Sequence, residues 1–264
     1  MLPFGTTDTE FAVVTFLSAF VGISIVSWGS LVVKARYLSA FALGVYLWFF
    51  TDTLSGANYL DVNGGFVYSP YVVSLAALFA VGLVVFFAFD RKLFSAGESL
   101  SRGALAVGAL AALALGLHGM AEGVAFGTTA AQTSSSSLMG AFGGFDASIS
   151  WVFHKMIEPT VAAAAYVAVV GPGSRKPSDR TVDALALAAV FAIPAVIGSI
   201  VGYFASFDVT YVYALGLGTS VYALARAGRS LYAQEGSDSW LSLKMALAAV
   251  LGFLLIFTAA MLHA

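Results

Sequence analysis

Two histidine–glutamate pairs carry the metal-binding chemistry of this sequence. His118 precedes Glu122 by four residues, and His154 precedes Glu158 by the same spacing. On an α-helix this spacing places both side chains on one face, one turn apart. Imidazole and carboxylate together suit zinc and related divalent metals. On neighbouring helices the two pairs would supply four metal ligands, which are His118, Glu122, His154 and Glu158.

The composition predicts an all-α membrane protein. Of the 264 residues, 60% are hydrophobic and only 10% are charged, which is too little polar surface for an ordinary soluble domain. The expected partners are the lipid bilayer and the metal ion, with no nucleic acid. The chain has no cysteine, so disulfides, thiolate metal sites and iron–sulfur clusters are excluded.

Eight apolar segments are long enough to be membrane spans, because a span needs about 20 apolar residues. None of the breaks between them resembles a domain linker, so one transmembrane domain, 1–264, is predicted. The segments cover roughly 11–33, 37–56, 70–90, 103–129, 146–170, 183–205, 209–228 and 241–262.

The basic residues lie in alternate connections or at the span ends that adjoin them. By the positive-inside rule these connections are cytoplasmic, so both termini are predicted to be extracytoplasmic. Lys155, within the fifth span, is the exception. The residues that set this pattern are Lys34, Arg36, Arg91, Lys92, Arg102, Arg175, Lys176, Arg180, Arg226, Arg229 and Lys244.

The two ligand pairs are predicted to lie at the same depth in the membrane. At 1.5 Å per residue, His118 lies ~16 Å and Glu122 ~10 Å below the outer end of the fourth span. On the fifth span, His154 lies ~12 Å and Glu158 ~18 Å deep by the same arithmetic. Antiparallel neighbours would bring all four into one layer. Without a metal, two buried carboxylates would need protonation or a partner.

Two residues of the fifth span are expected to modify the site. Lys155 either supplies a second positive charge to the carboxylates or snorkels away from them. Pro159 cannot donate a backbone hydrogen bond to Lys155, so a kink is predicted there.

Other polar and small residues have weaker functional interpretations. Asp52 is the best candidate for an outer cation pathway. Asp146 could serve the same outer mouth, although a helix N-cap is the simpler interpretation, as it is for Asp208. Gly123 belongs to a stripe of small residues that favours helix packing in lipid. Trp151 is interpreted as an anchor at the membrane interface.

The two motifs resemble those of the ZIP (Zrt/Irt-like) family of divalent-metal transporters. The family's fourth helix carries His-Asn-x-x-(Asp/Glu)-Gly, and this chain has His118-Gly-Met-Ala-Glu122-Gly123. Its fifth helix carries (His/Gln)-(Glu/Asp)-x-x-(Glu/His), and this chain has His154-Lys-Met-Ile-Glu158. The resemblance implies eight helices in a 3+2+3 arrangement and inward transport of a metal substrate. Zinc is favoured, with iron and manganese as alternatives, and no enzyme activity is expected.

Two departures from the family pattern imply that only one metal binds. Many family members hold a second metal through the residue that follows each first histidine. Here those residues are Gly119, which has no side-chain ligand, and Lys155, which repels a cation. Lys155 is therefore expected to stand in for the second cation.

Three other functions stay open at the level of sequence. The ligand set would also suit a membrane-embedded zinc metallohydrolase, with three ligands and one general base. A non-transporting, degenerate homologue could pair Lys155 with Glu122 or Glu158. A retinal pigment would use Lys155 or Lys244 as its Schiff base. The predicted location is the cell membrane, with multiple passes, and the short loops favour a prokaryotic plasma membrane. A homodimer is left open.

Overall fold

The fold is built from α-helices, with no strand among the residues that the structure describes. The computed structural model describes residues 4–57, 69–94, 100–133, 137–170, 175–205, 208–228, 231 and 243–261. The helices are α1 (Phe4–Gly29), α2 (Ala35–Ala57), α3 (Pro70–Phe94), α4 (Leu100–Gln132), α5 (Leu138–Ala141), α6 (Phe145–Ile157), α7 (Thr160–Val170), α8 (Pro177–Phe204), α9 (Val209–Ala227) and α10 (Leu243–Met261).

Helices occupy all eight segments predicted to be spans, and five of the described helices are long and apolar enough to cross a membrane. The all-helical membrane class is thereby supported, whereas the count of eight spans, the 3+2+3 arrangement and the orientation of the termini stay predictions. The five spans are Gly5–Gly29, Pro70–Arg91, Gly103–Gln132, Pro177–Phe204 and Leu243–Met261.

The fifth predicted segment is interrupted at the proline, as the sequence predicts. α6 ends at Ile157 and α7 begins at Thr160, with Glu158 and Pro159 between them. Pro159 has no N–H group, so the carbonyl of Lys155 loses its usual partner. The backbone of Glu158 stays near helical values, at φ −53° and ψ −49°. The helix is therefore interrupted at the ligand itself, and neither half alone has the length of a span.

α4 and α8 pack with their backbones in close contact because glycines line both helices. A Cβ on Gly123 would lie 2.0 Å from the carbonyl oxygen of Ala195 on α8. Conversely, a Cβ on Gly198 would lie 2.1 Å from the carbonyl oxygen of Met120 on α4. No side chain fits at these distances, so the small-residue stripes are packing surfaces. This contact fixes the helix that carries His118 and Glu122.

Two further close approaches hold the ligand-bearing helices in place. A Cβ on Gly22 of α1 would lie 1.7 Å from the carbonyl oxygen of Met156, between His154 and Glu158. On α9, a Cβ on Gly216 would lie 2.6 Å from the Cα of His118. Both motifs are therefore clamped by backbone contacts from other helices, which limits how far the ligands can shift.

A buried arginine joins α8 to the end of α1. Arg180 is fully buried, and its Nη1 donates hydrogen bonds of 2.7 Å to the carbonyl oxygen of Ser27 and to Ser30 Oγ. A cation near a helix C-terminus is favoured by the helix dipole. One turn along α8, Asp183 accepts a 2.5 Å hydrogen bond from Tyr166 of α7. These contacts tie α1, α7 and α8 together at the end away from the predicted outer surface.

Candidate metal centre

Three of the four predicted ligands converge inside the helix bundle. Ligand atoms of His118, Glu122 and Glu158 all lie within 4.8 Å of one another. His118 and Glu122 belong to α4, whereas Glu158 lies at the kink after α6. α4 and the α6–α7 segment thus bring three of the four predicted ligands together, while the predicted depths in the membrane stay predictions.

His118 is held in an aromatic setting with one nitrogen unsatisfied. Its residue is 4% exposed, and Nδ1 has no hydrogen-bond partner among the described residues. The ring of Phe49 meets it edge-on with centroids 4.4 Å apart, and the ring of Tyr213 lies 5.3 Å away. Its Nε2 is 3.9 Å from Glu122 Oε1. A buried imidazole nitrogen without a partner is costly, and a neutral imidazole is a good ligand for zinc.

His154 lies near the centre but is not one of the three converging groups. The residue is buried at 7% exposure, one turn before Glu158. Its ring packs against Trp48 of α2 with centroids 5.5 Å apart and a tilt of 47°. As the fourth ligand, it would need its side chain to turn toward the other three. Its role as a ligand stays a prediction.

Lys155 lies between the two carboxylates. Its ammonium donates a 2.7 Å hydrogen bond to Glu158 Oε2 and a second, short one to Glu122 Oε2. The side chain is fully buried, so it does not snorkel to the surface. Lys155 thus supplies positive charge to the same carboxylates that are predicted to bind metal. The buried charges of Lys155 and Glu158 and the partly buried charge of Glu122 are tolerated because each group is paired and hydrogen-bonded.

Two aromatic rings complete the surroundings of the Lys155 ammonium. The ring of Trp151 lies 4.9 Å from Nζ and that of Phe191 lies 5.7 Å away. At these distances a ring face attracts a cation. The prediction that Trp151 anchors the chain at the membrane interface is wrong, because this residue is buried and donates to Thr15 at 3.4 Å. In the sequence, its position one helical turn before Lys155 indicates that the two side chains share a helix face.

Asp146, Gly123 and Pro159 are not members of the cluster. Asp146 is exposed in the first turn of α6, but the N-cap is Gly144, so the N-cap interpretation was wrong by two residues. Gly123 is a packing residue between α4 and α8, one position beyond Glu122. Pro159 forms the kink. Asp52 lies in α2, and its side chain is outside the described part of the structure.

Asp8 is a carboxylate that sequence reasoning missed. It lies on α1, is partly buried, and accepts a short hydrogen bond from Ser199 of α8. Ser199 in turn lies beside Gly123, since a Cβ on that glycine would be 3.0 Å from the Ser199 nitrogen. Asp8 is therefore near the level of the α4 turn that follows Glu122. The signal was a helical stripe on α1, in which Asp8, Thr15 and Gly22 recur every seven residues.

Taken together, the cluster offers one nitrogen and several oxygen ligands to a cation. Glu122 is the least buried member, with 19% of its side chain exposed against 4% for Glu158. Access to the centre therefore lies on the Glu122 side. A mixed set of this kind suits borderline divalent metals. No protein-family model matches the chain, and no curated protein sequence is similar to it. Membership of the ZIP family accordingly stays a prediction carried by the two motifs.

Proposed function

We propose that this protein is a divergent ZIP-family transporter that moves a divalent transition metal into the cytoplasm through a single site. Zinc is the favoured substrate, with iron and manganese as alternatives. The observation that supports this most directly is the convergence of His118, Glu122 and Glu158 within 4.8 Å, inside apolar helices. Ionisable groups inside membrane helices are rare and mark ion pathways and other functional sites.

In this proposal the metal arrives from outside, loses water and binds among the three converging ligands. His154 turns from the Trp48 ring to complete the set. A group of helices then rocks against the others and opens the site to the cytoplasm, as in carriers with a binding site near the membrane midplane. The kink at Pro159 places a backbone irregularity at the site, where a cavity or neighbouring protein must satisfy it.

The proposal also assigns an orientation and a location. Eight spans, with both termini outside, place the basic connections in the cytoplasm. The membrane is the plasma membrane of a prokaryote. Under this orientation, the α4–α6 connection faces outward and Arg180 lies near the cytoplasmic end. Import is the direction implied by the resemblance to the family.

Metal content and vesicle uptake test the proposal together. We expect the purified wild type, loaded with zinc, to retain one metal per chain, and the double variant Glu122→Ala/Glu158→Ala to retain none. The matched control is Glu10→Ala/Asp179→Ala, which removes two carboxylates outside the cluster and should keep the metal. Zinc uptake into proteoliposomes should follow the same order. Metal-free wild type after loading with zinc, iron and manganese would contradict the proposed site.

The contacts of Lys155 favour a second candidate, a non-transporting homologue. Its ammonium already bridges both carboxylates, so it could act as a permanent internal cation that holds α4 and α6 together. This candidate predicts that the wild type binds no metal and transports none. Loss of the Lys155 side chain would then lower the thermal stability of the fold without altering any metal titration.

A further inference from the structure

The contacts of Lys155 affect how the proposed carrier behaves when its site holds no metal. Its ammonium contacts Oε2 of both glutamates, while Oε1 of Glu122 points toward His118 Nε2 at 3.9 Å. The lysine and a metal can therefore approach different oxygens of the same carboxylate. When no metal is bound, Lys155 is the cation in contact with both acids.

A carrier that achieves net transport must return with its site empty. Without a cation, Glu122 and Glu158 would make that return as two unpaired negative charges in an apolar bundle. An unpaired charge in such a setting is strongly unfavourable. A carrier whose metal-free site cannot reorient returns only after it binds another metal ion. Such a carrier exchanges one metal ion for another and achieves no net transport.

Lys155 is placed to remain with the site in every state of the cycle. It lies in the last turn of α6, three residues before Glu158, which caps that helix, so a movement of α6 carries both together. The rings of Trp151 and Phe191 stabilise the ammonium on its other sides. Gly119 lies beside the ammonium, since a Cβ there would be in ordinary van der Waals contact with Lys155 Nζ at 3.7 Å.

We propose that Lys155 is a resident counter-cation that allows the empty site to reorient, so that the protein performs net metal transport rather than obligate exchange. This inference rests on the proposed transport function. The effect depends on a fixed positive charge beside the two carboxylates. The sequence supplies this charge as Lys155, the residue that follows His154.

The test compares net zinc uptake with zinc-for-zinc exchange in the same proteoliposomes. Net uptake is measured into zinc-free vesicles, and exchange is measured as radioactive zinc entering zinc-loaded vesicles. For Lys155→Gln we expect the ratio of net uptake to exchange to fall by roughly 100-fold, the effect of one unpaired charge in a membrane helix. Lys155→Arg, which keeps the charge, should restore much of the ratio. Lys244→Gln, an exposed lysine on α10, is the matched control and should leave the ratio unchanged.

The outcomes distinguish a failure of the proposed role of Lys155 from a failure of transport itself. An equal fall of net uptake and exchange in Lys155→Gln would overturn the inference, as would a Lys155→Arg variant that behaves like Lys155→Gln. If Lys155→Gln does not fold, the wild type decides, because the inference requires its net uptake to be comparable with its exchange. Exchange far faster than net uptake in the wild type would overturn it. A wild type that shows neither process would instead remove the proposed transport function.

Discussion

The two oxygens of the Glu122 carboxylate face different partners. Oε2 accepts a hydrogen bond from Lys155, and Oε1 lies 3.9 Å from the imidazole of His118. A single carboxylate can thus balance the lysine and still present an oxygen to a metal. The imidazole has no such second role, because its Nδ1 makes no hydrogen bond within the described residues. His118 is therefore the residue whose removal reports most cleanly on metal binding.

His118→Ala should weaken zinc binding by more than about 10–100-fold. That range is the usual loss of metal affinity when a residue hydrogen-bonded to a metal ligand is removed. The physical reason is that His118→Ala removes a ligand while leaving the Lys155 ion pairs in place. Isothermal titration with zinc checks the size of the loss. His263→Ala, the third histidine, serves as the control and should titrate like the wild type. A His118→Ala protein with wild-type affinity would place the metal elsewhere.

His154→Ala decides whether the fourth predicted ligand takes part. If His154 turns from the Trp48 ring to the metal, its loss should weaken zinc binding to an extent similar to that of His118→Ala. The same titration measures it. A loss of zinc affinity of less than about threefold would be smaller than that caused by removing a residue hydrogen-bonded to a ligand. It would leave a three-ligand centre and assign His154 to packing.

At the scale of elements, glycine contacts decide how closely the helices approach the site. The backbones of α4 and α8 meet at positions where any side chain would overlap a carbonyl oxygen. Tight packing in lipid depends on such small residues, since hydrophobic burial does not drive association there. The rigid pair then gives α6 and α7 a fixed surface against which the kinked segment can be placed.

Gly198→Ala should destabilise this helix pair. Its new Cβ would lie 2.1 Å from the carbonyl oxygen of Met120, and overpacking of this kind costs about 1–3 kcal/mol. Thermal unfolding in detergent should show a lower midpoint. Gly29→Ala is the matched control, because a Cβ there has nothing within 4 Å. Equal midpoints for the two variants would show that α4 and α8 separate readily.

Asp208 gives the start of α9 a dependence on pH. It is the N-cap, and its Oδ1 accepts a 3.0 Å hydrogen bond from the Thr210 backbone. Hydrogen bonds from the Thr210 side chain and backbone, with a further one from Tyr71, lower the pKa of this exposed carboxyl. A lowered pKa in the folded state stabilises the fold above the ordinary aspartate pKa of about 3.9. That stabilisation disappears as the pH falls through the folded value.

Asp208→Ala should therefore reduce the free energy of unfolding at neutral pH by about 0.5–2 kcal/mol, the usual effect of losing an N-cap. The difference from wild type should shrink as the pH falls below about 4, the ordinary aspartate pKa, toward the lower pKa of the folded carboxyl. Thermal unfolding at a series of pH values measures both. Asp208→Asn, which keeps an N-cap acceptor, is the control. A difference that does not change with pH would assign the effect to packing.

For the whole molecule, the orientation of the chain in the membrane is the property on which import depends. The structure contains five described helices that are long and apolar enough to span, and the alternation of basic connections predicts three further spans. These remaining segments are the kinked α6–α7 pair and the more polar α2 and α9. Their polar side chains, such as Tyr46 and Ser220, which hydrogen-bond at 3.1 Å, pair with one another.

Cysteine labelling tests the predicted orientation directly, because the chain has no cysteine of its own. We expect Thr6→Cys and Asp146→Cys to react with a membrane-impermeant reagent applied to intact cells. Ser178→Cys should react only after the membrane is permeabilised. All three residues are exposed, so failure to label reports location rather than burial. Labelling of Ser178→Cys in intact cells would reverse the proposed direction.

The sequence determined the helical class, the kink at Pro159, the Asp208 cap and the meeting of the two motifs. These follow from local rules: apolar length, the missing N–H of proline, and the fixed rise of a helix, which predicts depth. Only the tertiary structure decided where Lys155 points, that His154 faces Trp48, that Trp151 packs beside the Lys155 ammonium and that Asp8 pairs with Ser199. Those positions depend on the rotation of each helix about its axis and on side-chain rotamers. Both are set by packing against helices distant in sequence, which spacing along one helix does not contain.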